Sequence, residues 1–221
     1  MSEKKVDIML AGMVSRFIRS SLERSSVSWR HHKIGVLQAY AVEEDQPGDA
    51  EVRVHVWHPA LCLANEDSGR IHDHRARITS RVLVGAIFDA EIGLVASEDG
   101  THRVWNVQNA RSAVADGSFW VKRENLDRRF DLMRCEHRYG PGAGYSYAPR
   151  MFHRSEVEDL TVTVVSKTEQ STEPARIVAR DGQTPKHAFD TTSAHGVLDV
   201  AHMAMLLEAA DRLDFIVRKG G

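Results

Sequence analysis

Hydrophobic positions recur at helical spacing at both ends of this chain and at strand spacing between them. Residues 5–22 carry Val6, Met9, Leu10, Met13, Val14, Phe17 and Leu22 three and four apart, the apolar stripe of an amphipathic helix. From Ile34 the period shortens. Ile34–Val42 is a short apolar run, and Val52, Val54 and Val56 alternate with Arg53 and His55, the pattern of a half-buried strand. A polar turn over Asn65–Gly69 delivers the chain into Ile71-His72-Asp73-His74, read as a strand. Strands over Arg81–Phe88 and Glu91–Ala96 flank a break at Asp89-Ala90, and Thr101–Val107 follows a turn at Ser97–Gly100. Phe119–Val121, Phe130–His137, Tyr145–Ala148 with Phe152, Leu160–Ser166 and Ile177–Ala179 extend the series. A last helix is predicted over about 195–216, capped by Thr192 or Ser193, with Leu198, Val200, Leu206, Ala209, Leu213 and Phe215 on its apolar side. Short strands between two terminal helices predict an all-β barrel or sandwich core with the helices packed outside.

Composition adds bounds. A chain of 221 residues has the length for one domain with a sizeable core, here taken as 1–221 with its central part at about 35–168. The formal net charge of −2 offers no basic field for nucleic acid. No apolar run approaches the roughly 20 residues that cross a bilayer, and no secretory leader pattern opens the chain. The only two cysteines, Cys62 and Cys135, lack a framework spacing and are expected to be reduced, in keeping with a cytoplasmic protein.

The chemistry concentrates at His72 and His74. On a strand, side chains alternate, so these two imidazoles share one face while Asp73 points to the other. An arbitrary pair at this spacing is more often satisfied by hydrogen bonds than by a metal. Here His153, in Met151-Phe152-His153-Arg154-Ser155, follows a Gly-rich turn and offers a third imidazole from a second strand. Divalent first-row metals suit imidazole nitrogen. The other histidines lack a partner at ligand spacing; His58, ahead of Pro59, is the one placed to line a pocket.

These residues carry a resemblance. Gly69-Arg70-Ile71-His72-Asp73-His74 with Ser80, Leu83 and Gly85 resembles the first metal motif of the cupin superfamily. Gly144-Tyr145-Ser146-Tyr147-Ala148-Pro149-Arg150-Met151-Phe152-His153 resembles a degenerate second motif. The first-motif Glu is absent: its window reads Arg77-Ile78-Thr79. IHDH without that Glu is similar to the cysteine dioxygenase and related thiol dioxygenases, which hold iron with three histidines. The resemblance implies a cupin-like barrel and an all-histidine metal site of His72, His74 and His153. The stretch Asp159–Thr168 has neither the His nor the Tyr that those enzymes carry after the third ligand, and Thr79 stands at their cross-linking Cys. The resemblance thus bears on fold and metal more than on a thiol substrate.

Three protein ligands leave positions open for substrate and dioxygen. The expected function is a mononuclear non-haem Fe(II) dioxygenase acting on a small organic acid or thiol, with Ni, Zn or Mn as other metals for the site. Tyr145 and Tyr147 are candidate catalytic phenols. Arg81, Arg154 and His58 are candidates for substrate binding, the arginines because guanidinium grips a carboxylate bidentately. Glu156 is a candidate supporting group. Expected partners are the small-molecule substrate and dioxygen, with neither nucleic acid nor membrane, in a monomer or homodimer. Two other classes stay open: a metal-dependent isomerase or epimerase, and a small-molecule-binding domain without catalysis.

Overall fold

The computed structural model describes residues 2–24, 27, 29–32, 34–42, 51–62, 70–108, 120–123, 128–168, 171–183 and 198–220. Helix α1 (Glu3–Glu23) is followed by strands β1 (Arg30–His32), β2 (Ile34–Val42), β3 (Glu51–Cys62), β4 (Ile71–His72), β5 (Arg77–Val84), β6 (Ile87–Ala96), β7 (His102–Gln108), β8 (Trp120–Arg123) and β9 (Phe130–Tyr139). Then come β10 (Gly144–Tyr147), β11 (Phe152–Glu156), β12 (Thr161–Thr168), β13 (Arg176–Arg180) and helix α2 (Val200–Gly220). The predicted turns at 43–49 and 65–69 and the predicted cap at 192–193 lie outside the described residues.

One sheet has six strands in the order β1-β2-β3-β12-β5-β10. A second has the order β13-β4-β11-β6-β9-β7-β8, and β13 also pairs with β7. That extra pairing closes β13, β4, β11, β6, β9 and β7 into a ring, the β9–β7 step resting on His102 opposite Phe130. The fold is therefore the β-barrel with terminal helices outside that the alternation predicts.

Both helices cover one face of the six-stranded sheet. Ala11, Val14 and Ile18 of α1 and Leu206, Ala209, Ala210 and Leu213 of α2 pack on Leu37, Ala39, Val54, Val56, Leu83 and Val162. Those strand residues are the apolar alternates of β2, β3, β5 and β12, so their burial fixes strand register. Asp214 of α2 accepts from Ser15 Oγ at 2.6 Å and from Arg19 at 2.7 Å, tying the helices together.

Several boundaries differ from the expectation. The α1 stripe is rotated: Met9 and Met13 are half exposed, whereas the small Ala11 and Ser15 face the core beside α2. Close approach of two helices favours small residues there, which a hydrophobicity count ranks below methionine. The chain turns at Gly85-Ala86, and β6 runs unbroken through Asp89-Ala90. Gly85 has φ +74°, and a Cβ there would lie 2.6 Å from the Leu160 carbonyl oxygen, so glycine meets both the turn and the close approach. Helix α2 starts at Val200, where Asp199 caps it through Oδ1 to the His202 N–H at 2.8 Å. No described helix is long and apolar enough to cross a membrane.

Candidate metal centre

His72 and His153 sit directly opposite one another on β4 and β11. Direct cross-strand neighbours share a face, so the pairing alone brings two imidazoles together. The neighbours Ile71 and Phe152 turn to the other face and pack with Ile92, Val104 and Val178. His74 lies just past the end of β4, not on it, because β4 stops at His72. Asp73 holds it there. That carboxylate is fully buried, accepts from the Arg176 N–H at 2.6 Å and from Arg176 Nε at 2.7 Å, and lies 3.8 Å from Arg150 Nε. The Arg150 N–H in turn donates to the His74 carbonyl at 2.9 Å.

The result is one cluster. Ring centroids are 4.8 Å apart for His72–His74 and His72–His153 and 5.0 Å for His74–His153, with one ligand atom of each residue within 4.8 Å of the others. The Nε2 atoms of His74 and His153 are 3.0 Å apart. His72 Nδ1 is 3.0 Å from the Arg70 carbonyl, which can only accept, so Nδ1 carries the proton and Nε2 presents a lone pair. His153 Nδ1 is 3.2 Å from Asp89 Oδ1, an acceptor that fixes the same tautomer. Burial, together with the neighbouring histidines, pushes the His72 imidazole down to about 3 and His74 well below its ordinary range. Three converging ring nitrogens, with His72 and His153 oriented through their other nitrogens, suit a divalent cation. Among the described residues this is the only cluster of three or more potential metal ligands.

Asp89, at the predicted break between strands, lies within β6 and supports the site. It accepts from Ser155 Oγ at 2.6 Å as well as facing His153. Burial pushes its carboxyl up, but hydrogen bonding to His153 and Ser155 holds it below the usual carboxylate range. No local signal marks it; only the cross-strand register of β6 on β11, which sets Asp89 opposite Ser155, brings it to the histidine.

Of the other candidates, Tyr147 is brought to the site: its ring centroid is 4.1 Å from that of His153. Its hydroxyl and Asp89 Oδ2 are both buried without a hydrogen-bond partner, yet near enough to affect each other's ionisation. Tyr145 lies 5.3 Å from Tyr147 and stacks on Tyr139 at 4.6 Å. Burial pushes both phenols up, so they stay protonated. The structure does not bring the substrate-binding candidates to the cluster. Arg81 forms an ion pair with Asp7 on α1, on the helix side of the sheet. Arg154 pairs with Glu156, which Arg70 also contacts at 3.0 Å. His58 Nδ1 accepts from the Ala60 N–H at 3.1 Å. Cys62 and Cys135 are unbridged, with Arg70 Nη2 3.0 Å from the Cys62 sulfur.

No family model matches the chain, and no curated protein does. Solved structures do align with it. Streptomyces albus HEPD, with 2-hydroxyethylphosphonate and Fe(II) bound, aligns at 10% identity and TM-score 0.40, over 68% of this chain and 26% of that one. A point mutant of Bacillus subtilis oxalate decarboxylase OxdC aligns at 11% identity and TM-score 0.34, over 66% and 28%. An RmlC-like cupin from Shewanella frigidimarina aligns at 10% identity and TM-score 0.32, over 65% and 85%. The chain thus spans under a third of the length of the first two.

Proposed function

We propose that this chain is a cupin-type metalloenzyme in which His72, His74 and His153 hold one divalent ion, Fe(II) first among the candidates, for oxidation of a small organic acid or thiol by dioxygen. The observation that supports the reading is the convergence of three imidazoles, two of them tautomerically fixed through Arg70 and Asp89. A bound ion supplies Lewis acidity and, as iron, redox chemistry with dioxygen. The chain supplies the rest. Asp89 and the Arg70 carbonyl orient two rings, and Asp73 fixes the segment carrying the third. Tyr147, protonated and beside His153, presents an O–H to a substrate bound over the cluster. Tyr145 flanks Tyr147 and stacks on Tyr139.

Metal analysis of protein purified without added metal, then after anaerobic Fe(II) loading, tests the site. One equivalent is expected in the wild type, and His153→Ala should lose most of it. Substrate-dependent oxygen uptake across a panel of small acids and thiols tests the reaction. Full occupancy in His153→Ala would remove the third ligand. An inert metal without oxygen uptake would move the reading to an isomerase or a binding domain.

A further inference from the structure

Strand β9 is paired along one edge and open along the other. On one side its residues lie opposite β6 from end to end, Phe130 on Ala96 through Tyr139 on Ile87. On the other side β7 meets it only where His102 opposes Phe130. The pairing there is antiparallel, so the rest of β7 leads past the start of β9 and away from residues 131–139. Gly100 marks the same limit: a Cβ on it would lie 2.6 Å from the Phe130 nitrogen, so the turn before β7 ends against Phe130. Among the described residues no strand pairs with the open edge of 131–139, where alternate residues turn N–H and C=O outward. Met133, Arg134, Cys135 and Glu136 are consecutive and all exposed, Met133 at 62%. Neighbours along a strand point to opposite faces, so both faces of β9 are open here as well as its edge.

An open edge is a template for another strand, and proteins commonly guard it with charge of one sign. The charges of β9 alternate in sign and do not guard it against its own copy. Two copies pairing antiparallel about a two-fold axis keep opposed residues on one face, so the axis passes through a residue and not between two. A pairing that uses all of 131–139 centres on the midpoint, Cys135. Arg134 then opposes the partner's Glu136, and Glu136 opposes the partner's Arg134. Among the described residues neither forms an ion pair within its own chain. On the other face Met133 opposes the partner's His137, which covers the exposed methionine. Moving the centre by one residue sets Arg134 against Arg134 or Glu136 against Glu136, and like charges directly opposed destabilise a pair. A centre at His137 matches Glu136 with Arg138 but pairs only 135–139 and leaves the rest of the open stretch bare. The longest register is thus also the charge-matched one.

We propose that the open edge of β9 joins the same edge of a second copy of this chain, in an antiparallel pair centred on Cys135, so that one sheet runs through a homodimer. The inference does not rest on the metal reading. It bears on the site through register. His72 opposes His153, His153 opposes Glu91, and Glu91 opposes Cys135. The partner's Cys135 continues that row, and one face of the joined sheet carries both histidine clusters. The two thiols meet at the axis. Directly opposed Cα atoms of antiparallel strands lie about 4.5–5.5 Å apart, within the span of a disulfide, so Cys135 reports the register. Cys62, at the end of β3 in the other sheet, does not.

Sedimentation equilibrium of the full chain under reducing conditions, over a concentration series, reads the association. Wild type is expected to dimerise. Arg134→Glu and Glu136→Arg each set like charges against one another twice across the axis and should weaken association by about tenfold to hundredfold. An equimolar mixture of the two variants opposes unlike charges again and should associate within a few-fold of wild type. Misfolding, or a role within one chain, would not be repaired by mixing. Diamide oxidation gives a second reading. A covalent dimer is expected from wild type and from Cys62→Ser, none from Cys135→Ser, and little from either charge variant alone although each keeps Cys135. The proposal is overturned if wild type is monomeric throughout, or if the mixture stays monomeric. It is equally overturned if both charge variants associate like wild type, which would move the contact elsewhere, as to the exposed Val200, Leu207 and Phe215 of α2.

Discussion

The two faces of the six-stranded sheet are made by the same strands and share almost no chemistry. The outer face is hydrocarbon: Leu37, Ala39, Val54, Val56 and Val162 are at most 1% exposed under the helices. The inner face, one residue out of step, holds Gln38, Tyr40, Arg53, His55 and Thr163. A strand's period of two lets one segment serve both ends, because a change at an odd position leaves even positions in place. Apolar burial is therefore concentrated on the helix side and polar, ionisable side chains on the barrel side. Substitutions on one face should leave the other's property largely untouched.

The largest effect should come from the outer face. Leu213→Ala removes a side chain that is 0% exposed among α1, α2 and the sheet. It should cost about 2–5 kcal/mol, the range for buried leucine truncation. Urea unfolding measures it, and metal bound per folded molecule should not change. A drop in metal stoichiometry at low denaturant would break the separation between faces.

Asp73 crosses the divide and sharpens the comparison. Asp73→Asn keeps an acceptor for the Arg176 backbone but loses the charge facing Arg176 Nε and Arg150. A loss of about 1.5–3 kcal/mol is expected, as for a hydrogen bond to a charged group. Unlike Leu213→Ala, it should also weaken metal binding, since the same carboxylate anchors the segment carrying His74. Unchanged metal affinity in a destabilised variant would show that His74 is placed by other contacts.

What the sequence made legible follows from range. The barrel with outer helices was readable because periods of two and of three to four are local properties. His72, His74 and His153 were readable from their settings, a pair two apart after a polar turn and a third after a Gly-rich turn, together with the likeness of both segments to a known metal motif. Asp89 was not: an acidic residue between two apolar runs reads as a break between strands, and its role appears only when β6 lies against β11. Arg53 and His55 read as the polar side of a half-buried strand. That side proved to face the interior, and no single strand reports whether its polar edge meets water or a cavity. Arg81 and Arg154 were named as substrate groups by residue type alone, and their ion pairs with Asp7 and Glu156 come from α1 and from a neighbouring position on β11.

The smallest effect distinguishes the faces by proton uptake. His55 is buried and neutral in the fold, its imidazole held down by burial and by the charges of Arg53 and Lys167. In the unfolded chain it titrates near its ordinary value of about 6.5. Below that pH the unfolded state binds the proton and the folded state does not. Stability should therefore be full above about pH 6.5 and fall as pH drops toward the folded value. The slope from one such group reaches about 1.4 kcal/mol per pH unit. His55→Gln cannot take up that proton, so its stability should fall less steeply than wild type below pH 6.5 and run parallel to it above pH 7. Leu213→Ala, which removes no titratable group, should lower the whole curve without changing its shape. Chemical denaturation of all three proteins at several pH values makes the comparison. Equal slopes for wild type and His55→Gln would mean that His55 is protonated in the folded protein, and that the inner face already carries more positive charge than Arg53 and Lys167 supply.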